Sequence, residues 1–503
     1  MLWFLVAVPL VSGLIALVVP WNWPRRFLFL ATALGHAGMT AHALHETPAP
    51  VMNGWIAIDA ASSLFLAITS FMFLIVASYA VGYIRRESVR SSERTVELPF
   101  KNYPEATFTG CCLLFLASMT LVNLSRHWGL LWVAVEATTL ASAPLIYFHR
   151  SPKSLEATWK YLMICSVGIA LALLGNFFLT VAARGWLGGH LSLTFESLEA
   201  HARELDPLWL KAAFLLLLVG YGTKMGLAPL HTWLPDAHSE APSFVSALLS
   251  GVLLNCAFLA ILRGHSLLVK AGLAEFSQDL FVLFGLVSMA VAALFIINQA
   301  DYKRLLAYSS IEHMGILALG IGIGGFAGFG SMLHAVNHSV AKGMLFLAAG
   351  NTLAYFHTKS TAAARGTLRL LPMTGVLWIV GLLAITGSPP SGAFVSEFAI
   401  LKEMIDSRRY GVAVFYLAAL SIIFVGMSAV VLQIVYGKST TASETEPEAS
   451  ESKDKPPAGF LSEPLWSILP PLLLAVAALI LGLYLPEPLS NLLHNAAKAV
   501  GAE

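Results

Sequence analysis

The sequence predicts an all-α polytopic membrane protein, and three observations carry that reading. Only 12% of its 503 residues are charged and 57% are hydrophobic, about half the charged share of an ordinary soluble domain, with a mean hydropathy of +0.74. The apolar residues gather in windows of about 20, the length a helix needs to cross a bilayer. The Lys and Arg residues fall mainly on alternate loops. Formal net charge is +1, from 30 basic against 29 acidic residues, so neither a nucleic acid nor a cationic partner is offered an oppositely charged face.

The windows lie near 2–19, 27–44, 56–84, 107–124, 128–148, 157–182, 209–229, 243–262, 279–298, 306–324, 329–355, 373–404, 410–436 and 465–485, which makes about fourteen spans. The first reads as a retained span: it lacks the basic start of a secretory leader and is followed by Pro20 and Trp21 rather than a small-residue cleavage site. Residues 123–127 must hold a tight turn, and the twelfth span is interrupted between Gly387 and Gly392. Loops after odd-numbered spans carry seventeen Lys and Arg against eight after even-numbered ones. Odd loops are therefore expected in the cytoplasm and both termini outside, in the cell (inner) membrane.

The organisation that follows is spans 1–3 in residues 1–106, a five-helix unit (spans 4–8) in 107–263, a second (spans 9–13) in 264–437, a loop at 438–464 and a last span in 465–503. The loop contains STTASETEPEASESKDKPP (439–457), too poor in apolar residues to offset ordering entropy, and is expected to be disordered. Cys111, Cys112, Cys165 and Cys256 lack metal or disulfide spacing and read as small core residues. Gly320, Gly322 and Gly325 match a dinucleotide fingerprint in letters only, since no strand precedes them.

Most cations fall in loops, but Lys224 and Lys342 lie deep in apolar segments, where a Lys costs roughly 2.5–3.5 kcal/mol on insertion scales. Two acids, Glu136 in GLLWVAVEATTLASAPLI and Glu397 in PPSGAFVSEFAIL, are similarly placed. Asp59 reads as a helix-end residue. Glu312 and His313 fall early in the tenth span, as an anchor or a cytoplasmic entry. In the eleventh span His334, His338 and Lys342 recur every fourth residue, which keeps them on one helical stripe. Histidine suits proton transfer because its ordinary pKa of about 6.5 is close to neutral pH. The two His could also ligate a metal, but the neighbouring Lys opposes that and no third ligand is evident, so no metal and no cofactor are expected.

Two spans are broken by Gly and Pro: the seventh around Lys224 (Gly220, Gly222, Gly226, Pro229) and the twelfth before Glu397 (Gly387, Pro389, Pro390, Gly392). Broken helices at membrane depth are tolerated where protein or a wet cavity satisfies the freed backbone. Each break falls on the fourth helix of its five-helix unit, the pattern of a transporter repeat.

The run GTKMGLAPLHTWLPDAHSEAP (222–242), the run DYKRLLAYSS (301–310) and the His334, His338, Lys342 stripe resemble the antiporter-like subunits of respiratory complex I, Mrp cation/proton antiporters and group 4 hydrogenases. The wording SIEHMG (310–315) is most similar to the F subunit of hydrogenase-4-type complexes. The resemblance implies fourteen helices with two inverted five-helix repeats and a proton relay through Glu136, Lys224, His334, His338, Lys342 and Glu397. Many members carry a further lysine on the eighth helix, where this chain offers Asn255. The resemblance then leaves the link between the halves to water, or to His231 and His238. A long amphipathic C-terminal arm is not expected.

The expected function is proton translocation within a membrane-bound redox complex, without redox chemistry in this chain. Expected partners are other membrane subunits and a peripheral hydrogenase or dehydrogenase arm. The alternative is an Mrp-like cation/proton antiporter subunit or a proton-coupled inorganic-carbon uptake subunit, because one relay serves all three. A passive scaffold would not need charges at mid-membrane.

Overall fold

The structure, a computed structural model, describes residues 1–93, 104–183, 192–438 and 463–502. The stretch expected to be disordered, 439–457, lies outside them. The described residues form helices α1 (Leu2–Val18), α2 (Asn22–His45), α3 (Ala60–Glu93), α4 (Glu105–Leu124), α5 (Trp128–Ile146), α6 (Pro152–Ala182), α7 (Phe195–Ala200), α8 (Pro207–Met225), α9 (Trp233–Glu240) and α10 (Ser243–Leu248). They continue with α11 (Leu254–Lys270), α12 (Ala274–Ile296), α13 (Tyr302–Ile323), α14 (Phe326–Phe356), α15 (Thr367–Leu370), α16 (Pro372–Ile385), α17 (Gly392–Asp406), α18 (Tyr410–Tyr436), α19 (Leu465–Leu483) and α20 (Glu487–Ala499). Among the described residues β-pairing is limited to isolated bridges.

Eleven of the described helical stretches are long and apolar enough to cross a membrane, α10 and α11 counting as one stretch, Ser243–Lys270, joined through a π-helical turn at Leu249–Leu253. The protein is thus an all-α, multi-pass membrane protein. Leu2–Val18 and Pro372–Ile385 are shorter apolar helices.

Local chemistry sets several helix ends. Asp206 accepts hydrogen bonds from the Leu208 and Trp209 amides and is followed by Pro207, a pairing that starts α8. Ser151 and Ser154 cap α6 reciprocally. The tight turn expected at 123–127 takes three residues, and His127 Nδ1 accepts from the Gly129 amide at 3.1 Å to start α5.

The stretch Ser243–Lys270 and α13 are buried along their apolar windows, whereas α2, α6, α12, α18 and α19 leave more than half of theirs uncovered. Helix α14 packs against α13, α16, α17 and α19, and its residues 327–335 are buried without interruption. The middle of the chain therefore forms the centre, and polar groups there have only protein to partner them.

Three cations assigned above to loops are in fact buried. Arg25 donates to Asn22 Oδ1 and the Val19 carbonyl, Lys303 to the carbonyls of Ser239 and Ala241, and Arg263 to Asp59. Each found an acceptor in the protein, which removes the need to reach water.

Candidate functional site

Helix α8 ends one residue after Lys224 because Gly226 takes the left-handed conformation (φ +84°), and a Cβ there would meet Leu234 Cδ1 at 2.5 Å. Trp233 Nε1 donates to the Thr223 carbonyl at 2.8 Å, satisfying one group freed by the break. The Lys224 ammonium, fully buried, donates to Thr139 Oγ1 at 2.8 Å and to the Tyr161 hydroxyl at 2.5 Å. It also lies 4.4 Å from the Tyr161 ring centroid. Tyr161 and Ser142 share a hydrogen bond of 2.6 Å.

Glu136, half-buried on α5, accepts from Thr139 Oγ1 at 3.1 Å and from Ser166 Oγ at 3.3 Å. Glu136 and Lys224 are thus joined through one hydroxyl instead of touching. That geometry brings them within about 6 Å, where attraction at an effective dielectric near 20 is roughly 3 kcal/mol. The pair can bias where a proton rests without trapping it.

The second cluster is built around α14. His334 Nε2 and His313 Nδ1 share a hydrogen bond of 2.8 Å, and His334 Nδ1 pairs with Ser396 Oγ at 3.0 Å. The His338 ring lies 5.1 Å from that of His313, and its Nε2 reaches the Ser250 carbonyl at 3.3 Å. Lys342 bonds neither histidine: its ammonium donates to the Leu306 carbonyl at 2.9 Å. Glu397 reaches the cluster from the broken twelfth span. Gly387, at φ +61°, makes room for it, since a Cβ there would stand 2.0 Å from Glu397 Oε2. Glu312 and His313, expected at an anchor or an entry, are instead buried inside this cluster.

Between the clusters lies the π-helical turn. Asn255 donates to the Gly251 carbonyl at 3.1 Å and to Ser339 Oγ at 2.8 Å, and Ser250 and Ser310 share a bond of 2.7 Å. His231 sits in the loop after Pro229 at 9% exposure. Burial makes that imidazole harder to protonate, partly offset by a hydrogen bond to the Pro229 backbone. His238 is fully buried on α9 with its ring stacked on Phe346. Neither hydrogen-bonds to Lys224 or Lys342. Beside α9 a cavity of 340 Å³ is lined by Lys160, Asp236, Glu240, Asp301, Arg304 and Lys359, among others. Asp236 pairs there with Lys160 (3.0 Å) and Arg304 (2.8 Å), and Glu240 with Lys359 (2.7 Å).

Sequence reasoning missed Thr139, Tyr161, Ser142, Ser250, Ser310, Ser339 and Ser396. The available signal was a hydroxyl one helical turn from an acid, as Thr139 is from Glu136. His313, His334 and Glu397 hold ligand atoms within 4.8 Å of one another. The 2.8 Å between the imidazole nitrogens is shorter than the roughly 3.3 Å separating two nitrogens on a tetrahedral zinc. As arranged, those two nitrogens are hydrogen-bonded to each other.

Asp59, ahead of α3, accepts from the Ser62 amide at 2.7 Å, as a helix-end residue should, and also pairs with Arg126 and Arg263. Burial works against its ionisation, but the two guanidiniums outweigh it and hold the carboxyl well below the usual range.

The profile of the family described as NADH:quinone oxidoreductase/Mrp antiporter, transmembrane, matches residues 125–423. A "Hydrogenase-4 component F homolog" from Methylacidiphilum infernorum is 40% identical over 351 residues, 69% of this chain and 72% of that protein. "Hydrogenase-4 component B" from Escherichia coli is 28% identical over 442 residues, 84% of this chain and 62% of that one. The chain thus spans less than two thirds of the second relative. Among solved structures, a chain of an archaeal membrane-bound sulfane sulfur reductase superposes with a TM-score of 0.83 at 21% identity, covering 99% of this chain and 97% of that one. A chain of the Mrp complex from Dietzia sp. gives 0.82 at 20%, with 99% and 97% covered. These two likenesses speak to the fold. With more than half its length matched by the family profile, the chain belongs to the NADH:quinone oxidoreductase/Mrp antiporter family of membrane subunits.

Proposed function

We propose that this protein is the proton-translocating, antiporter-like subunit of a multisubunit membrane-bound redox complex of the hydrogenase-4 or complex I kind, carrying out no redox chemistry itself. The observation that carries the reading is Lys224, a fully buried ammonium held by two hydroxyls with a carboxylate beyond one of them. A structural ion pair would close directly, whereas a hydroxyl between acid and base leaves a route for a proton. The curated relatives named as hydrogenase-4 components favour a redox partner over Mrp-like exchange or carbon uptake.

Fourteen crossings fit this reading: the eleven long apolar helices, α1, the histidine-bearing α14, and α16 with α17 as one broken span. Spans 4–8 and 9–13 then make two inverted five-helix repeats, broken at Gly226 and Gly387. The loop cations put both termini outside the cell (inner) membrane. Neighbouring membrane subunits and a peripheral hydrogenase or dehydrogenase arm would supply the redox drive.

In the proposed cycle ionised Glu136 holds a proton on Lys224. A redox-driven shift in a neighbour moves Glu136, and losing roughly 3 kcal/mol of attraction changes proton occupancy on Lys224 about a hundredfold. The proton passes along the hydroxyls and amides near Ser250, Ser310, Asn255 and Ser339 to His338, His334 and Lys342, and leaves by Glu397. His231 and His238 admit its replacement from the cytoplasm. Asn255 cannot hold a proton, so the crossing between clusters is a hydrogen-bonded passage rather than a charged stop.

The test is Lys224→Ala in the intact complex, in inverted membrane vesicles. Redox-driven proton uptake should fall on the order of a hundredfold while the complex still assembles. Uptake that survives the substitution sinks the relay.

A further inference from the structure

Glu312 has no place in the path described so far, yet its surroundings are those of a working acid. It is 2% exposed on α13, and its Oε2 accepts from Ser309 Oγ at 3.3 Å. Lys342 is its charged neighbour, but that ammonium bonds the Leu306 carbonyl instead of closing an ion pair. A buried acid kept for stability would be expected to pair, because an uncompensated carboxylate is costly. On its other side, His313 Nε2 lies 3.9 Å from Glu312 Oε2. From His313 the hydrogen bonds run on without interruption to His334 and Ser396.

The same small unit occurs at Lys224: an acid, a hydroxyl three residues away on the same helix, and a lysine from another helix. Glu136 with Thr139 and Glu312 with Ser309 bond at 3.1 and 3.3 Å. In the five-helix units proposed above, α5 and α13 are both second members.

We propose that Glu312 is a proton-carrying residue of the second cluster, delivering protons through His313 and His334 toward Glu397 under the control of Lys342. The proposal rests on the relay reading. In the transfer the O–H bond at Glu312 Oε2 breaks and an N–H bond forms at His313 Nε2. His313 then gives up its Nδ1 proton to His334 Nε2, and His334 passes its own from Nδ1 to Ser396 Oγ, whose O–H bond breaks in the same step to release a proton onward. Glu397, with an oxygen within 4.8 Å of ligand atoms on both imidazoles, receives it. No electrons move; each ring gains one proton and loses one. The first hop must close from 3.9 Å to about 3 Å, a tightening usual between resting and working geometries. The groups facing Glu312 are Lys342, His313, Ser309, Glu397 and Tyr416, and the Ile385 carbonyl lies beside the His313 ring.

The experiment compares Glu312→Gln and Glu312→Asp in the intact complex, reading proton uptake per electron in inverted vesicles and the carboxyl region of the redox-induced infrared difference spectrum. Glu312→Gln should lose about tenfold or more of its uptake and one deuterium-sensitive carboxyl band, and Glu312→Asp should restore much of both. Uptake in Glu312→Gln within about twofold of the parent overturns the proposal. If that variant fails to assemble, Glu312→Asp decides: an unshifted carboxyl spectrum overturns the proposal. Loss in Lys224→Ala with none in Glu312→Gln removes Glu312 alone, whereas loss in neither removes the relay reading too.

Discussion

The surroundings of Lys224 and of Lys342 solve one problem in two ways. Lys224 has a single route to an acid, through Thr139, and that acid is only half-buried. Lys342 lies fully buried with Glu312 as its acidic neighbour and the imidazoles of His238, His313 and His338 nearby, while its own hydrogen bond goes to a backbone carbonyl. The first arrangement is serial and open to whatever moves Glu136. The second is branched and enclosed, suited to storing a proton and passing it on. A serial path fails at any link, and a branched one fails gradually.

After Lys224 itself, the largest effect in that comparison belongs to Thr139. Thr139→Val keeps the shape and removes the hydroxyl that joins Lys224 to Glu136. Redox-driven proton uptake should fall about tenfold or more, and Thr139→Ser should recover most of it. Vesicle acidification at matched turnover measures both; equal uptake in the Val and Ser variants would show that the hydroxyl is not a link.

Next in size is His338→Gln. His313 and His334 stay hydrogen-bonded to each other without His338, so uptake should drop only about twofold to fivefold. A loss as deep as that of Thr139→Val would make His338 an obligatory link rather than one branch. Ser309→Ala should cost less again, because Glu312 keeps His313 and Lys342 as neighbours.

The same contrast explains what the sequence made legible. A charge in an apolar window stands out against its neighbours, which is why Lys224, Lys342, Glu136 and Glu397 could be read without coordinates. The glycines at both breaks were legible for the same reason. Thr139, Tyr161 and Ser396 are ordinary in an apolar helix, and only helix packing reveals what they bond. Glu312 and His313 were visible but misplaced, since nearness to the end of a span in sequence does not say which face a helix turns inward. Arg263 and Lys303 were misread as loop cations because a partner distant in sequence, or a backbone carbonyl, leaves no mark in local composition.

The smallest effect on transport is expected at Asp59, where charges close directly. Arg263 and Arg126 both pair with it directly, so the Ser62 hydroxyl, which also accepts from Arg263, does not stand between the charges as Thr139 does between Lys224 and Glu136. Asp59→Asn should therefore leave proton uptake per electron unchanged and lower stability instead. Breaking a fully buried pair costs roughly 3–5 kcal/mol; with the Asp59 side chain 25% exposed the loss should be nearer about 1–3 kcal/mol. The sign with pH follows from the depressed carboxyl. The stabilisation is fully present above the unfolded-state value, about 3.9, and is lost as pH falls below it toward the lower folded-state value. Thermal unfolding of the purified complex should separate parent from variant at neutral pH and converge under strong acid. A variant that instead lost proton uptake at full stability would make the Asp59 ion pairs part of the path, and the line drawn between closed ion pairs and hydroxyl-bridged ones would fail.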